Sequence, residues 1–357
     1  MKIRVLRGDE LDDSLTAAWS AVQKASDEFV SPYLSPQLTA AVAAARDDVY
    51  VGVMEDGGRP VGFFPFQRNW AGVGRPVGGP FSSCQAFVVE RDAQWNVPDL
   101  LRGCGLSAYE FTHQLASQAP FAAFVHTATG SPIMDLSAGY EAYEKKRFEI
   151  GGTQLKRTYR MIRKIAREHP GYRFVKHDPS PQALQKLVEW KSEQCRAKGS
   201  PDIFMAPWSA AVLERIHASQ LPDFGGVLSA IYVNERLIAA ELDIRSHAVW
   251  HRWICVYDPE FGDYSPGVIL GVEMAKAAAK DGVHHLDMGK DMTFYKESFM
   301  TGTVPIVEGI AEVPSVVTAA RRARRGFEAW VRESPFVGVA RIPGRWIRAR
   351  EHRSRFE

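Results

Sequence analysis

The chain has few of the features that would assign it quickly. It has four cysteines in 357 residues, Cys84, Cys104, Cys195 and Cys255. None are spaced as Cys-x-x-Cys, so the sequence gives no support for a zinc site or a redox pair. Sparse, unpaired cysteines fit a reducing compartment. No stretch of about 18 apolar residues occurs, and no apolar core of a signal peptide follows the opening Met-Lys-Ile-Arg-Val-Leu-Arg. The sequence therefore predicts a cytoplasmic protein that serves any membrane-bound pathway from the inner surface. Net charge is also nearly absent, at +2, so global charge points to no partner. Its distribution says more. Residues 315–357 hold eleven arginines against four glutamates, +7 in sum, which leaves −5 for the rest. The positive charge belongs to a tail.

What remains is ordinary globular composition, 45% hydrophobic and 24% charged, in a chain long enough for two cores. A strand is expected at 2–6 and a helix at 9–25, opened by acidic residues that suit its positive end. Residues 49–54 and 60–67 flank Asp56-Gly57, a strong hairpin signal. Helical patterns follow at 138–149 and 154–169. The order then repeats, with strands at 227–233, 237–245 and 247–257, a helix from 266 to about 280, and a short strand at 284–288. One or two helical turns at 294–300 and a last strand at 304–312 complete it. A strand–turn–strand hairpin thus occurs twice, near 50 and near 230. This predicts a mixed-sheet α/β fold of two similar units, 1–153 and 154–314, the first degenerate, followed by the basic tail 315–357.

The sharpest local motif is Asp263-Tyr264-Ser265-Pro266-Gly267-Val268. Ser is a favoured N-cap and Pro suits the first helical turn. Gly lets a ligand come close to the backbone, and a helix start suits a pyrophosphate; an ordinary capped helix fits the same residues. The second motif is His285-Leu-Asp287-Met-Gly289-Lys290, followed by Tyr295-Lys296-Glu-Ser-Phe299. It places polar groups at the carboxyl edge of a sheet, where ligands often sit. Lys296 could stabilise an oxyanion, bind a phosphate, or lie on a solvated helix face. Glu241, His251 and Asp287 are candidate bases. Period-two alternation puts His251, Trp253, Cys255 and Tyr257 on one strand face, and the aromatics Trp253 and Tyr257 suit a sugar acceptor or a plain core. His247 and His251 would point the same way about 13 Å apart on a strand, too far to share a metal. No metal is expected.

The run Leu237-Ile-Ala-Ala-Glu241, Tyr257-Asp-Pro259, Tyr264-Ser-Pro-Gly267, Asp287-Met-Gly289, Tyr295-Lys296 and Phe299 resembles the GNAT-like domain of cellulose- and exopolysaccharide-biosynthesis acetyltransferases. The basic helix Arg157-Thr-Tyr-Arg160-Met-Ile-Arg163-Lys164-Ile-Ala-Arg167 resembles that family's too. The likeness spans 154–312 and extends weakly to the Fem peptidoglycan transferases. It implies an acyl-coenzyme A donor, acetyl-CoA in the simplest case, with its pyrophosphate at Tyr264, Ser265, Pro266, Gly267 and Val268. It implies an amine or hydroxyl acceptor on a sugar, and Tyr295 in the position of a general acid. The donor loop carries fewer glycines than the usual GNAT loop, which keeps a non-catalytic effector open. A Fem-like aminoacyl transferase using charged tRNA is the other alternative, and the modest net charge argues against nucleic acid. In the basic helix Leu155, Tyr159, Ile162 and Ala166 form the expected apolar stripe. Its cations form a solvated face or hold an anionic lipid-linked carrier. The tail's arginines, with Phe327, Trp330 and Trp346, suit an anionic membrane surface or a signalling nucleotide.

Overall fold

A computed structural model describes residues 2–315 together with Thr318, Ala319 and Ala323; the expectations placed on the basic tail otherwise lie outside the described residues. The strands are β1 (Lys2–Arg7), β2 (Val49–Asp56), β3 (Arg59–Arg68), β4 (Val73–Arg75), β5 (Val88–Val89), β6 (Ala108–Leu115) and β7 (Val125–Asp135) in the first half. The second half supplies β8 (Tyr172–Val175), β9 (Gln220–Leu221), β10 (Phe224–Val233), β11 (Arg236–Arg245), β12 (Val249–Tyr257), β13 (His285–Asp287) and β14 (Gly302–Glu312). The helices are α1 (Asp13–Lys24), α2 (Pro36–Ala43), α3 (Val97–Gly103), α4 (Tyr140–Glu149), α5 (Thr153–Glu168), α6 (Pro181–Ala197), α7 (Pro207–Ala218), α8 (Pro266–Lys280) and α9 (Phe294–Phe299).

All the strands join one mixed sheet. Its order is β1-β2-β3-β4-β6-β14-β7-β13-β12-β11-β10-β8, with β5 on β3 and β9 on β10. Read inward from either edge, the two halves repeat the same plan. Each has a hairpin, β2–β3 or β10–β11. The first turns at Gly57 and Gly58, both at positive φ, and the second at Asn234, φ 53. These are residues that tolerate the left-handed region a tight hairpin requires. Each half then has its parallel pair of named strands, β4 with β6 and β12 with β13. At the centre the halves exchange strands. β14, late in the chain, pairs with β6, and β7, early in the chain, pairs with β13, while β7 and β14 pair with each other. Hydrogen bonds of one continuous ladder therefore tie the first half to the second.

Helices cover both faces of the second half. On one face α8 packs with α4 and α5 through Ile269, Leu270, Met274, Leu155 and Ile165. On the other, α6 and α7 pack through Leu184, Leu187 and Leu213 onto Leu242, Ile254 and Val256. The stripe on α5 differs from the expected one. Leu155, Thr158 and Ile165 are buried and Ala166 is exposed, so the buried side follows Ile165, one residue earlier than Ala166.

Candidate functional site

β12 is the element around which the site is built. Its parallel pairing with β13 covers Val249, Trp250 and His251 and ends at Asp287, while β12 continues to Tyr257. Beyond Asp287 the two strands part, and side chains on β12 gain an opening that a continuous ladder would close. The alternation expected along β12 is broken by a bulge. Leu242 pairs with Ile254 and Ile244 with His251, so two steps on β11 span three on β12. An extra residue reverses every later side chain. His251 and Trp253 therefore face Tyr33, while Cys255 and Tyr257 face the start of α8, next to Gly267. The four residues expected on one face are divided between two.

On the α8 face, Ser265 precedes Pro266 in the left-handed region at φ 55, and its side chain makes no capping bond. The cap expected from Ser265 is thus a backbone one, with the amides of Val268 and Ile269 donating to the Ser265 carbonyl at 2.9 and 3.1 Å. A Cβ on Gly267 would sit 3.3 Å from Cys255 Sγ and 3.7 Å from a ring carbon of Tyr257. Only glycine leaves the space between the helix start and the strand open. Tyr264 turns away from this gap. Its hydroxyl donates to Glu168 Oε2 at 2.7 Å, and its ring lies under Lys164 of α5.

One turn further along α8 is a buried polar cluster. Arg252 donates from Nε and Nη2 to the two carboxylate oxygens of Glu241 at 2.7 and 2.6 Å, and from Nη1 to the Tyr295 hydroxyl oxygen. A Cβ on Gly271 would lie 2.6 Å from Arg252 Nη1 and 2.7 Å from Tyr295 Oη; glycine there lets the cluster press against the helix. Burial opposes the Arg252 charge, but Glu241 more than compensates and holds its pKa well above the usual value. The neighbouring Asp243 is fully buried, and burial followed by the Glu241 charge drives its pKa well up. Burial also raises the Tyr295 pKa. With Arg252 donating to its oxygen, the Tyr295 proton is available to a third group. Glu241, by contrast, has its carboxylate committed to Arg252.

The opposite face holds a cavity of about 490 Å³. His251 lies at its floor, 3% exposed, with Nε2 3.0 Å from Ser31 Oγ and Nδ1 3.6 Å from Asp287 Oδ1. Asp287 Oδ1 also accepts from Ser131 Oγ at 2.5 Å and from the Gly289 amide at 2.7 Å. The Tyr33 amide donates to Ser31 Oγ at 3.3 Å. Ser31 Oγ and His251 Nε2 share one hydrogen bond, and the other ring nitrogen, Nδ1, faces the Asp287 carboxylate. Burial lowers the His251 pKa and Asp287 partly restores it. Ser31, Ser83, Cys84 and Ser117 come from the first half. No sequence motif marks them, because they lie far along the chain from His251 and Asp287. Among the described residues, the lining also includes Asp27 and Glu28 but no lysine or arginine.

Lys296 links the site to its loop. Its Nζ donates to the Gly289 carbonyl at 2.9 Å and to the Lys290 carbonyl. Burial lowers its pKa. Two of its three donors thus fix the residues whose amide holds Asp287. Lys296→Ala is expected to reduce turnover by on the order of tenfold through displacement of Asp287. A steady-state assay paired with thermal melting checks this; unchanged turnover would separate the loop from the chemistry.

One buried and two half-buried imidazoles also set a stability window. Burial lowers the pKa of His251, and takes His113 and His285 to about 4. The folded chain therefore binds fewer protons than the unfolded chain, whose histidines titrate near about 6.5. Their contribution is complete above about 6.5 and is lost as pH falls toward 4. A melting temperature that declines across that interval is the expected result, and a flat one would contradict the burial of these rings.

The profile of the acetyltransferase (GNAT) domain matches residues 153–297. No curated protein matches the chain. Among solved structures, the C-terminal domain of a putative lysylphosphatidylglycerol synthetase from Agrobacterium fabrum aligns with a TM-score of 0.52 and 14% identity, covering 88% of this chain and 96% of that one. A tandem GNAT protein from the clavulanic acid biosynthesis pathway aligns at 0.50 and 13%, covering 88% of this chain and 100% of that one. At these identities the likeness is one of fold. Residues 153–297 form a GNAT acetyltransferase domain, which makes the chain an enzyme of the acyltransferase type, and the tandem arrangement has a solved counterpart.

Proposed function

We propose that this protein transfers an acyl group, acetyl in the simplest case, from coenzyme A to a hydroxyl or amine of an exopolysaccharide sugar or its lipid-linked precursor. Residues 1–153 and 154–314 act as two units, the second carrying the donor site. The observation that supports this reading best is the parting of β12 from β13 at His251 and Asp287. The start of α8 lies on one side of that opening, and a cavity floored by a histidine lies on the other.

The proposed donor site is the first turn of α8, with Ser265, Pro266, Gly267 and Val268 offering backbone and helix-start charge to the pyrophosphate. Tyr264 contributes by holding α5 beside it, and Tyr257 lies at its edge. The acceptor's N–H or O–H faces His251 Nε2, directly or through Ser31. As the new bond forms to the thioester carbonyl carbon, the proton passes to His251 and Asp287 stabilises the resulting imidazolium. The C–S bond breaks as Tyr295 delivers its proton to the departing sulfur. Arg252, bound to Glu241, keeps the tyrosine oxygen in place. Trp253 supports the cavity wall rather than stacking on a sugar, since it packs against Tyr33 and Phe81. With Asp27, Glu28 and Asp287 around the cavity and, among the described residues, no lysine or arginine lining it, the acceptor group that enters is neutral or cationic, and a phosphate stays outside. Coenzyme A thioesters place the reaction in the cytoplasm.

The test is release of free coenzyme A thiol from acetyl-CoA with glucosamine, glucose and glucose 1-phosphate as acceptors. Turnover on the first two above the phosphate ester supports the reading. Preference for the phosphate ester would refute the acceptor assignment. Binding of aminoacyl-tRNA in place of acetyl-CoA would favour a Fem-like transferase, and binding of neither would favour an effector.

A further inference from the structure

We infer that the turn between α4 and α5, together with the segment leading into α9, docks on an anionic lipid bilayer. Single exposed apolar side chains are normal on a protein surface, but here they concentrate. Of eight exposed large hydrophobic residues among those described, four lie in or immediately beside these two segments: Phe148 and Ile150, and Met292 and Phe294. Ile150 is 58% exposed and Phe294 79%. The helices that carry these segments are fastened together at α4 and the end of α9. Tyr143 Oη of α4 donates to the Phe299 carbonyl, and Arg147 Nη1 to the Met300 carbonyl, each at 2.8 Å.

Cations surround this apolar edge. Residues 140–168 carry nine lysines and arginines against four glutamates. Because α5 buries Leu155, Thr158 and Ile165, its Lys156, Arg157, Arg160 and Arg163 face outward. Lys156 lies over the Phe148 ring at 5.3 Å, so one cation sits directly beside one apolar group. Arg157, Arg160 and Arg163 have no hydrogen bond or ion pair among the described residues, and their charge is free for an external anion. Exposed apolar side chains within a collar of unpaired cations match a headgroup layer, where the apolar groups enter the acyl boundary and the cations meet lipid phosphates. A nucleic acid would satisfy the cations but not Ile150 or Met292, which offer no ring to stack on a base. Among the described residues no helix is long and apolar enough to cross a membrane, so the contact is peripheral. It would hold the enzyme at the surface where a lipid-linked acceptor resides.

The experiment is co-sedimentation of the full chain with phosphatidylcholine vesicles, with and without phosphatidylglycerol. Each cation near an anionic surface contributes about fivefold, so binding to the mixed vesicles should exceed binding to the neutral ones by about tenfold or more. The pairs Ile150→Asp with Phe294→Asp, and Arg157→Glu with Arg160→Glu, should each lose about tenfold or more of that binding, with unchanged melting and unchanged acetyl-CoA affinity. Wild-type binding by both pairs would overturn the inference and move the contact elsewhere, residues 315–357 included. Loss in the arginine pair alone, with single-stranded RNA displacing the vesicles, would overturn it in favour of nucleic acid. Because acetyl-CoA binding is read separately, failure here leaves the proposed reaction untouched.

Discussion

Replacing His251 with glutamine lowers turnover by about 10²–10⁴-fold, the usual contribution of a positioned acid–base group, and leaves the donor affinity near that of the wild type. The substitution keeps a polar side chain beside Ser31 Oγ, so a fold defect is not the expected cause of the loss. Asp287→Asn should reproduce part of the effect, since Asp287 orients the ring but also holds the Gly289 amide. A pH–rate profile distinguishes a base from a packing residue. Burial lowers the His251 pKa, so the acidic limb of kcat/KM is expected below about 6.5, and it should vanish in the glutamine variant. Unchanged turnover with an unchanged limb would assign the base elsewhere in the cavity.

Arg252→Ala is expected to cost about 3–5 kcal/mol of stability, the range for breaking a buried pair by removing one partner. Arg252 and Glu241 are both nearly inaccessible, with side chains 8% and 2% exposed. Removing the guanidinium takes both hydrogen bonds from the buried Glu241 carboxylate beside Asp243, and takes away the donor to Tyr295. Chemical denaturation measures the loss. The double variant Arg252→Met with Glu241→Leu should recover much of the stability while turnover stays low, because the apolar pair packs but no longer holds Tyr295. Recovery of both would show that the cluster only fills space.

Much of the second half was legible in the sequence. The hairpin turn at Asn234, like the one at Gly57 in the first half, the Ser-Pro-Gly start of α8 and the short strand before Gly289 depend on local rules, and each element appears within about three residues of its expectation. Ser180-Pro181 is a helix-start signal of the same kind, so α6 was within reach as well. Other features depend on distant pairing. β7 contains Gly130 and Pro132 and lacks an alternating pattern; it is a strand because β13 and β14 flank it. The bulge on β12 follows from pairing with β11, and it alone decides that Trp253 and Tyr257 part company. Ser31 and Cys84 have no neighbours in sequence that suggest chemistry. The chain brings Ser31 to His251 across 220 positions, by tertiary packing that no local rule anticipates. Glu241 shows the converse. Its position on a central strand suited a base, and the bulge supplied the arginine that occupies it.

The central claim is that the start of α8 receives the donor. Titration calorimetry of acetyl-CoA into the full chain and into Gly267→Asp tests it most directly. A carboxylate at 267 would enter the gap lined by Cys255 Sγ and Tyr257 and oppose a pyrophosphate at a helix start. The account predicts saturable binding to the wild type, a loss of about tenfold or more in the variant, and matching melting curves. Absence of binding to the wild type, or equal affinity in the two proteins, would contradict it.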